Sequence, residues 1–207
     1  MNRRGYSDPI NHALAFAAKH HDQQVRRANR PPYFTQPANV AIMLTRFGCD
    51  EETVVAGILH EVVADYLREG YSRDLLVSRV GEKFGARVVE TILMTAERRV
   101  DAAGVEMTAE ERRADVLERL ERASAAARWI AAANAVHAAS TLLADLRRTV
   151  DPESVWSRFT AGREGTLAWY RRLYERLRAV GFGGDLVAEL GDVVAALEAQ
   201  PVGAPPG

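Results

Sequence analysis

The chain has 207 residues, 47 % of them hydrophobic and 27 % charged, which suits one domain with a real core and excludes a disordered chain, a collagen-like repeat or a disulfide-stapled miniature. Lys and Arg (27) nearly balance Asp and Glu (28), leaving a net charge of −1, so the chain lacks the excess positive charge that a binder of nucleic-acid polymers needs. The single cysteine, Cys49, excludes an internal disulfide and any multi-cysteine zinc site. Residues 1–4 carry positive charge, but no apolar run of signal-peptide length follows them, and nowhere do ~20 apolar residues run uninterrupted. A cytoplasmic location with no membrane contact is therefore expected, and the near-exclusive use of Arg over Lys together with abundant Ala suggests a GC-rich bacterial source.

In chain order, apolar periodicity is helical almost throughout, and Pro and Gly fall between the periodic stretches. The pattern predicts an all-α fold of about eight to ten helices. Ser7-Asp8-Pro9 caps a first helix that runs to about Gln24. Arg30-Pro31-Pro32 breaks the chain, and a second helix is expected from Pro37 to Phe47, stopped at Gly48. Asp50 caps the third, Glu51 to Leu67, which is apolar on nearly every side and should be central. A helical pair follows around Gly81 and Gly85, then a loop from Arg98 to Glu106. Thr108 to Arg148 reads as one long helix or two. Its first part is charged and expected to face solvent, while Ala123 to Ala139 is small enough to let another backbone approach. Asp151-Pro152 restarts a helix through Trp156, Phe159 and Leu173, and a last helix spans about Asp185 to Ala199. A single domain over residues 1–200 with a disordered tail at 201–207 is the expected organisation.

Three polar residues interrupt the apolar third helix: His60, Glu61 and Asp65. An unpaired buried charge costs several kcal/mol or more, so these side chains, which face one side of the helix, require partners. A buried histidine–carboxylate hydrogen-bond cluster satisfies that requirement, and so does a metal or catalytic site. Spacing alone does not choose between them. The basic segment Arg26-Arg27-Ala28-Asn29-Arg30, followed by Tyr33, is the second candidate site, since guanidinium groups bind phosphate bidentately and stack on bases. A solvated turn is its plain alternative.

Several segments, in order, resemble the HD-domain hydrolases of the alarmone (ppGpp) type. They are Ala13 to Ala18, His21-Asp22-Gln23-Gln24-Val25-Arg26-Arg27, Pro32-Tyr33-Phe34-Thr35-Gln36-Pro37, Ala56-Gly57-Ile58-Leu59-His60-Glu61-Val62-Val63-Ala64-Asp65 and Ala133-Asn134-Ala135-Val136-His137. Trp156 to Phe159 and Leu167 to Arg171 are similar to the end of the family's stand-alone bacterial members. The resemblance implies a mostly helical domain around one Mn²⁺, held by the His of an HP pair, an adjacent His-Asp and the Asp of an ADxxHN segment. A Glu-Asp pair one turn later is implied to activate water against the nucleotide's 3′-pyrophosphate.

This chain departs from the pattern at each of those places. The HP histidine is Gln36, the His-Asp pair is His60-Glu61, the Glu-Asp pair is Ala64-Asp65, and the ADxxHN aspartate is Asn134. The candidate metal positions are therefore His60, Glu61, Gln36 and Asn134, the candidate catalytic residue is Asp65, and the candidate ligand-binding residues are Arg26, Arg27 and Tyr33. Gln36 and Asn134 offer neutral oxygens in place of an imidazole and a carboxylate, Glu61 displaces its carboxylate by one methylene, and Ala64 removes a general base worth typically 10²–10⁴-fold. No cofactor is expected, or Mn²⁺ if the altered site still binds metal. His137 is expected as a hydrogen-bonded interior histidine, His12 as a surface residue, and the resemblance gives His21 no ligand role. The leading expectation is a non-catalytic or very weak HD-domain protein that binds a purine nucleotide or another phosphorylated small molecule. A metal-dependent phosphohydrolase with altered ligands and substrate is one alternative. A protein-interaction or scaffold protein using the charged stretch Glu110 to Arg122 is the other.

Overall fold

Capping and periodicity set the helices, and a computed structural model shows where they lie; it describes residues 7–22 and 32–201. The helices are α1 (Asp8–His20), α2 (Thr35–Arg46), α3 (Glu51–Arg68), α4 (Arg73–Leu76), α5 (Glu82–Phe84), α6 (Ala86–Leu93), α7 (Ala109–Arg119), α8 (Ala125–Arg148), α9 (Pro152–Trp156), α10 (Gly162–Ala179) and α11 (Asp185–Glu198). A π-helical turn, Val77–Gly81, joins α4 to α5 in one continuous stretch. No strand occurs among the described residues, where the nearest approach to one is an isolated bridge between Val100 and Glu106. The fold is all-α. No described helix is long and apolar enough to cross a membrane.

Helix α3 is the axis of the molecule. Asp50 at its N-cap accepts the amide of Thr53 at 2.8 Å, and Glu51 and Glu52 in the first turn with Arg68 in the last suit the helix dipole. Val54, Val55, Ala56, Ile58, Leu59, Val62 and Val63 are buried, and α1, α2, α6 and α8 pack around them. The side that remains carries His60, Glu61, Ala64, Asp65 and Arg68, whose spacing places them on one face. One apolar core runs from Ile10 to Leu197.

Gly57 lets α2 approach closely. A Cβ there would lie 2.4 Å from Leu44 Cδ1 and 3.2 Å from Val40 Cγ1, so the fully buried Leu44 side chain would have to shift within a packed core. Gly57→Ala is expected to destabilise the fold by about 1–3 kcal/mol through overpacking, despite the better helix propensity of alanine. A urea titration checks this, and an unchanged midpoint would show that α2 can shift.

Several boundaries differ from the periodicity. Helix α1 ends at His20 instead of near Gln24, and α2 begins at Thr35, two residues before Pro37. Residues 108–148 form two helices, because the chain turns after Leu120 and Ser124 caps α8 by accepting the Ala127 amide at 3.2 Å. The expected helix from Asp151 splits into α9 and α10 around a turn that ends at Gly162, where φ is +60°. The tail beyond Pro201 lies outside the described residues.

The charged segment is less exposed to solvent than its composition suggests. Val116, Leu117 and Leu120 are buried, and Arg119 pairs with Asp115 while donating to the carbonyls of Leu93, Met94 and Ala96 at 3.1, 2.8 and 2.7 Å. Glu110 and Glu121 pair with Arg172 and Arg176 of α10. Arg119 thus satisfies carbonyls at the end of α6, a use that composition alone does not disclose.

Candidate functional site

Glu61 sits at the centre of a polar cluster on the open face of α3. The Tyr33 hydroxyl donates to its Oε2 at 2.8 Å and the Gln36 amide nitrogen donates to its Oε1 at 2.9 Å. His60 Nδ1 stands 3.5 Å from the same Oε1. Burial pushes the Glu61 carboxyl up, but the adjacent His60, the Tyr33 hydroxyl and the Arg68 guanidinium outweigh it and hold the group at about 2. Burial, with Glu61 beside it, pushes the Tyr33 phenol up. Tyr33 thus spends its hydroxyl on Glu61, and its ring faces that of His21 at 4.8 Å.

Glu61, Gln36 and His60 line a cavity of about 330 Å³. Its lining includes Ala64, Arg68 and Asn134, together with Trp169, Tyr170 and Leu173 of α10. Both polar atoms of the Asn134 side chain, and the Thr95 hydroxyl that also lines the cavity, are buried without a hydrogen-bond partner. Such groups favour a complementary ligand or ordered water. His137, three residues on, is buried and turned toward α2, where Asn39 Nδ2 donates to its Nε2 at 3.3 Å. His12 is exposed beside Phe84.

Asp65 belongs to a second cluster on the same face. His20 Nε2 donates to its Oδ2 at 2.9 Å, His21 Nδ1 lies 3.6 Å from that oxygen, and Arg68 pairs with Oδ1. The structure therefore brings Gln36, His60, Glu61 and Asn134 to one cavity, joins Tyr33 to them, and sets Asp65 among two histidines and an arginine. Arg26 and Arg27 lie outside the described residues. Sequence reasoning passed over Arg68, which helical spacing from His60, Glu61 and Asp65 could have found, and Thr95, for which the sequence carries no local signal, and it gave no site role to Trp169 although that residue lies in a segment that resembles the family.

The four cavity positions are a weaker donor set for Mn²⁺ than the one the resemblance implies, because two of the four are neutral amides. A hard cation needs oxygen lone pairs or an imidazole. Gln36 turns its amide nitrogen, a donor that cannot ligate, to Glu61, while the Glu61 oxygens accept one hydrogen bond each and keep further lone pairs, and Asn134 Oδ1 has no hydrogen-bond partner among the described residues. Internal donors hold the carboxylate where a cation would otherwise do so.

The chain belongs to the HD domain family, which matches residues 13–167. It is 32 % identical over 87 residues to a guanosine-3′,5′-bis(diphosphate) 3′-pyrophosphohydrolase of Aquifex aeolicus, covering 42 % of this chain and 11 % of that protein. It is 36 % identical over 76 residues to a probable GTP pyrophosphokinase of Mycobacterium leprae, covering 37 % and 9 %. The chain thus spans about a tenth of the length of these curated relatives. Among solved structures, a metazoan ortholog of SpoT that hydrolyzes ppGpp superposes with a TM-score of 0.70 at 23 % identity, covering 92 % of this chain and 96 % of that one. A Listeria monocytogenes EGD-e protein superposes with a TM-score of 0.61 at 22 % identity, covering 80 % and 97 %. These likenesses establish the HD fold and the relation to ppGpp hydrolases.

Proposed function

We propose that this chain is a binding member of the HD-domain family, related to ppGpp 3′-pyrophosphohydrolases, that holds a phosphorylated purine nucleotide in the former active-site cleft and does not hydrolyse it. The observation that carries this reading is the Glu61 carboxylate, closed off by Tyr33 and Gln36 where hydrolysis in this family requires metal coordination. Two further features agree with it. Ala64, which lines the cavity, offers no base for a water molecule. Asp65, the remaining carboxylate of the implied catalytic pair, is tied to His20 and Arg68.

Binding has support of its own. The unpartnered amide of Asn134 and hydroxyl of Thr95 offer hydrogen bonds to a base or sugar, and the indole of Trp169 offers an apolar wall. Arg68 lines the cavity, and Arg26 and Arg27 are proposed to supply the phosphate contacts. The scaffold reading is less favoured, because Glu110, Arg119 and Glu121 already make internal contacts. One HD domain over residues 1–200, in a bacterial cytoplasm, completes the proposal, with the continuous core from Ile10 to Leu197 in support of the domain.

Titration calorimetry with guanine and adenine nucleotides, with and without Mn²⁺, tests it. Binding tighter than millimolar is expected in both conditions and should weaken as salt rises, because exposed guanidinium–phosphate pairs are screened. Arg26→Ala should cost roughly 1.5–3 kcal/mol and Arg122→Ala, an exposed arginine remote from the cavity, much less. No binding by any nucleotide in either condition would end the ligand-binding reading in favour of an interaction protein.

A further inference from the structure

We infer that His20, His21 and Asp65 form a binding site for a late first-row divalent cation, of which Zn²⁺ is the natural occupant, separate from the position the family uses for its metal. Each of the three residues offers one ligand atom, and these atoms all lie within 4.8 Å of one another. His20 Nε2 is 2.9 Å and His21 Nδ1 3.6 Å from Asp65 Oδ2. Ligands bonded at the usual Zn²⁺ distances in a tetrahedron stand about 3.3 Å apart, so the two histidine–Asp65 separations bracket the spacing a bound ion would impose, and the two histidine nitrogens, within 4.8 Å of each other, need only a small ring rotation to close on it.

Adjacent residues at a helix end diverge by about 100°, which normally keeps i and i+1 side chains from meeting. Here the chain leaves the helix at His21, and the two imidazoles use different nitrogens, the distal one of His20 and the proximal one of His21. The different reach of these atoms compensates for the divergence and brings both to one oxygen. The rings are held by aromatic walls: Tyr66 stands edge-on to His20 at 5.0 Å and Tyr33 lies against His21 at 4.8 Å. His21 is buried, and the side chains of His20 and Asp65 are 14 % and 12 % exposed, which leaves the group shielded but reachable.

Arg68 pairs with this carboxylate on Oδ1, whereas both histidines approach Oδ2. Its side chain is 57 % exposed and can swing into solvent when a metal arrives. Two imidazoles and one carboxylate favour Zn²⁺ or Co²⁺ over Mn²⁺, following the general affinity order of these ions, and the positions left open accept water or an anion. This inference does not depend on nucleotide binding, and its test contains no nucleotide.

The experiment titrates the full chain, stripped with chelator, with Zn²⁺ by calorimetry and with Co²⁺ by visible absorption. One equivalent is expected, with a Co²⁺ spectrum of low-coordinate nitrogen and oxygen ligation. His20→Gln and Asp65→Asn should each weaken binding by 100-fold or more while His60→Ala leaves it unchanged, and Arg68→Gln should tighten it. Circular dichroism establishes that each variant is folded, and a rise in the wild-type melting temperature with Zn²⁺ gives a readout that needs no variant. Absence of stoichiometric binding by the wild type would overturn the proposal, and so would binding that survives Asp65→Asn or disappears with His60→Ala.

Discussion

Reverting the diverged side chains together, Gln36→His, Glu61→Asp, Ala64→Glu and Asn134→Asp, is expected to raise the Mn²⁺ affinity of the cleft well above that of the parent chain. All four positions line the same cavity as His60, so the side chains have one point on which to converge. The reversion replaces the Gln36 donor by an imidazole and the neutral Asn134 by a carboxylate. It also shortens residue 61 by one methylene, taking its carboxylate away from Tyr33. Loss of a supporting group beside a metal typically costs 10–100-fold, and replacement of ligands themselves costs more, so a gain of about 10³-fold or greater in Mn²⁺ affinity is the expected scale. Calorimetry with Mn²⁺, run alongside a thermal melt, reads it. A quadruple variant that folds normally and gains no Mn²⁺ affinity would show that the helices themselves have moved apart.

The second large effect concerns the helix that carries the site. Ile58→Ala should destabilise the protein by about 2–5 kcal/mol, since Ile58 is fully buried on α3 and truncation loses both transfer energy and packing. Against a total stability on the order of 5–15 kcal/mol for a domain, that is enough to unfold a marginal chain on warming. Urea denaturation at constant slope measures it. A loss below about 1 kcal/mol would mean that the neighbouring helices close over the gap, contrary to a rigid α3 at the axis of the fold.

Much of this arrangement was legible in the chain itself. The all-round apolar pattern of residues 51–67 placed α3 at the centre because a helix with no polar face has nowhere else to go, and the polar interruptions at His60, Glu61 and Asp65 marked the face that holds both clusters. Helix ends were less legible. The chain leaves α1 at His20 with no glycine or proline there, and the break between α7 and α8 shows only as a serine cap inside a helix-prone stretch. Pairings between distant residues left no local trace. Tyr33 to Glu61 and His20 to Asp65 join residues 28 and 45 positions apart, and nothing in their spacing announces a contact that only the packing of α1 and α2 on α3 creates. The motif order identified the cleft, while the partners that close it came from tertiary structure.

The most direct measurement is release of pyrophosphate from guanosine-3′,5′-bis(diphosphate) by the purified chain in the presence of Mn²⁺. A cleft whose Glu61 is held by Tyr33 and Gln36, with Ala64 in place of a base, predicts no release above the protein-free blank. Mn²⁺-dependent turnover that His60→Ala abolishes would contradict it.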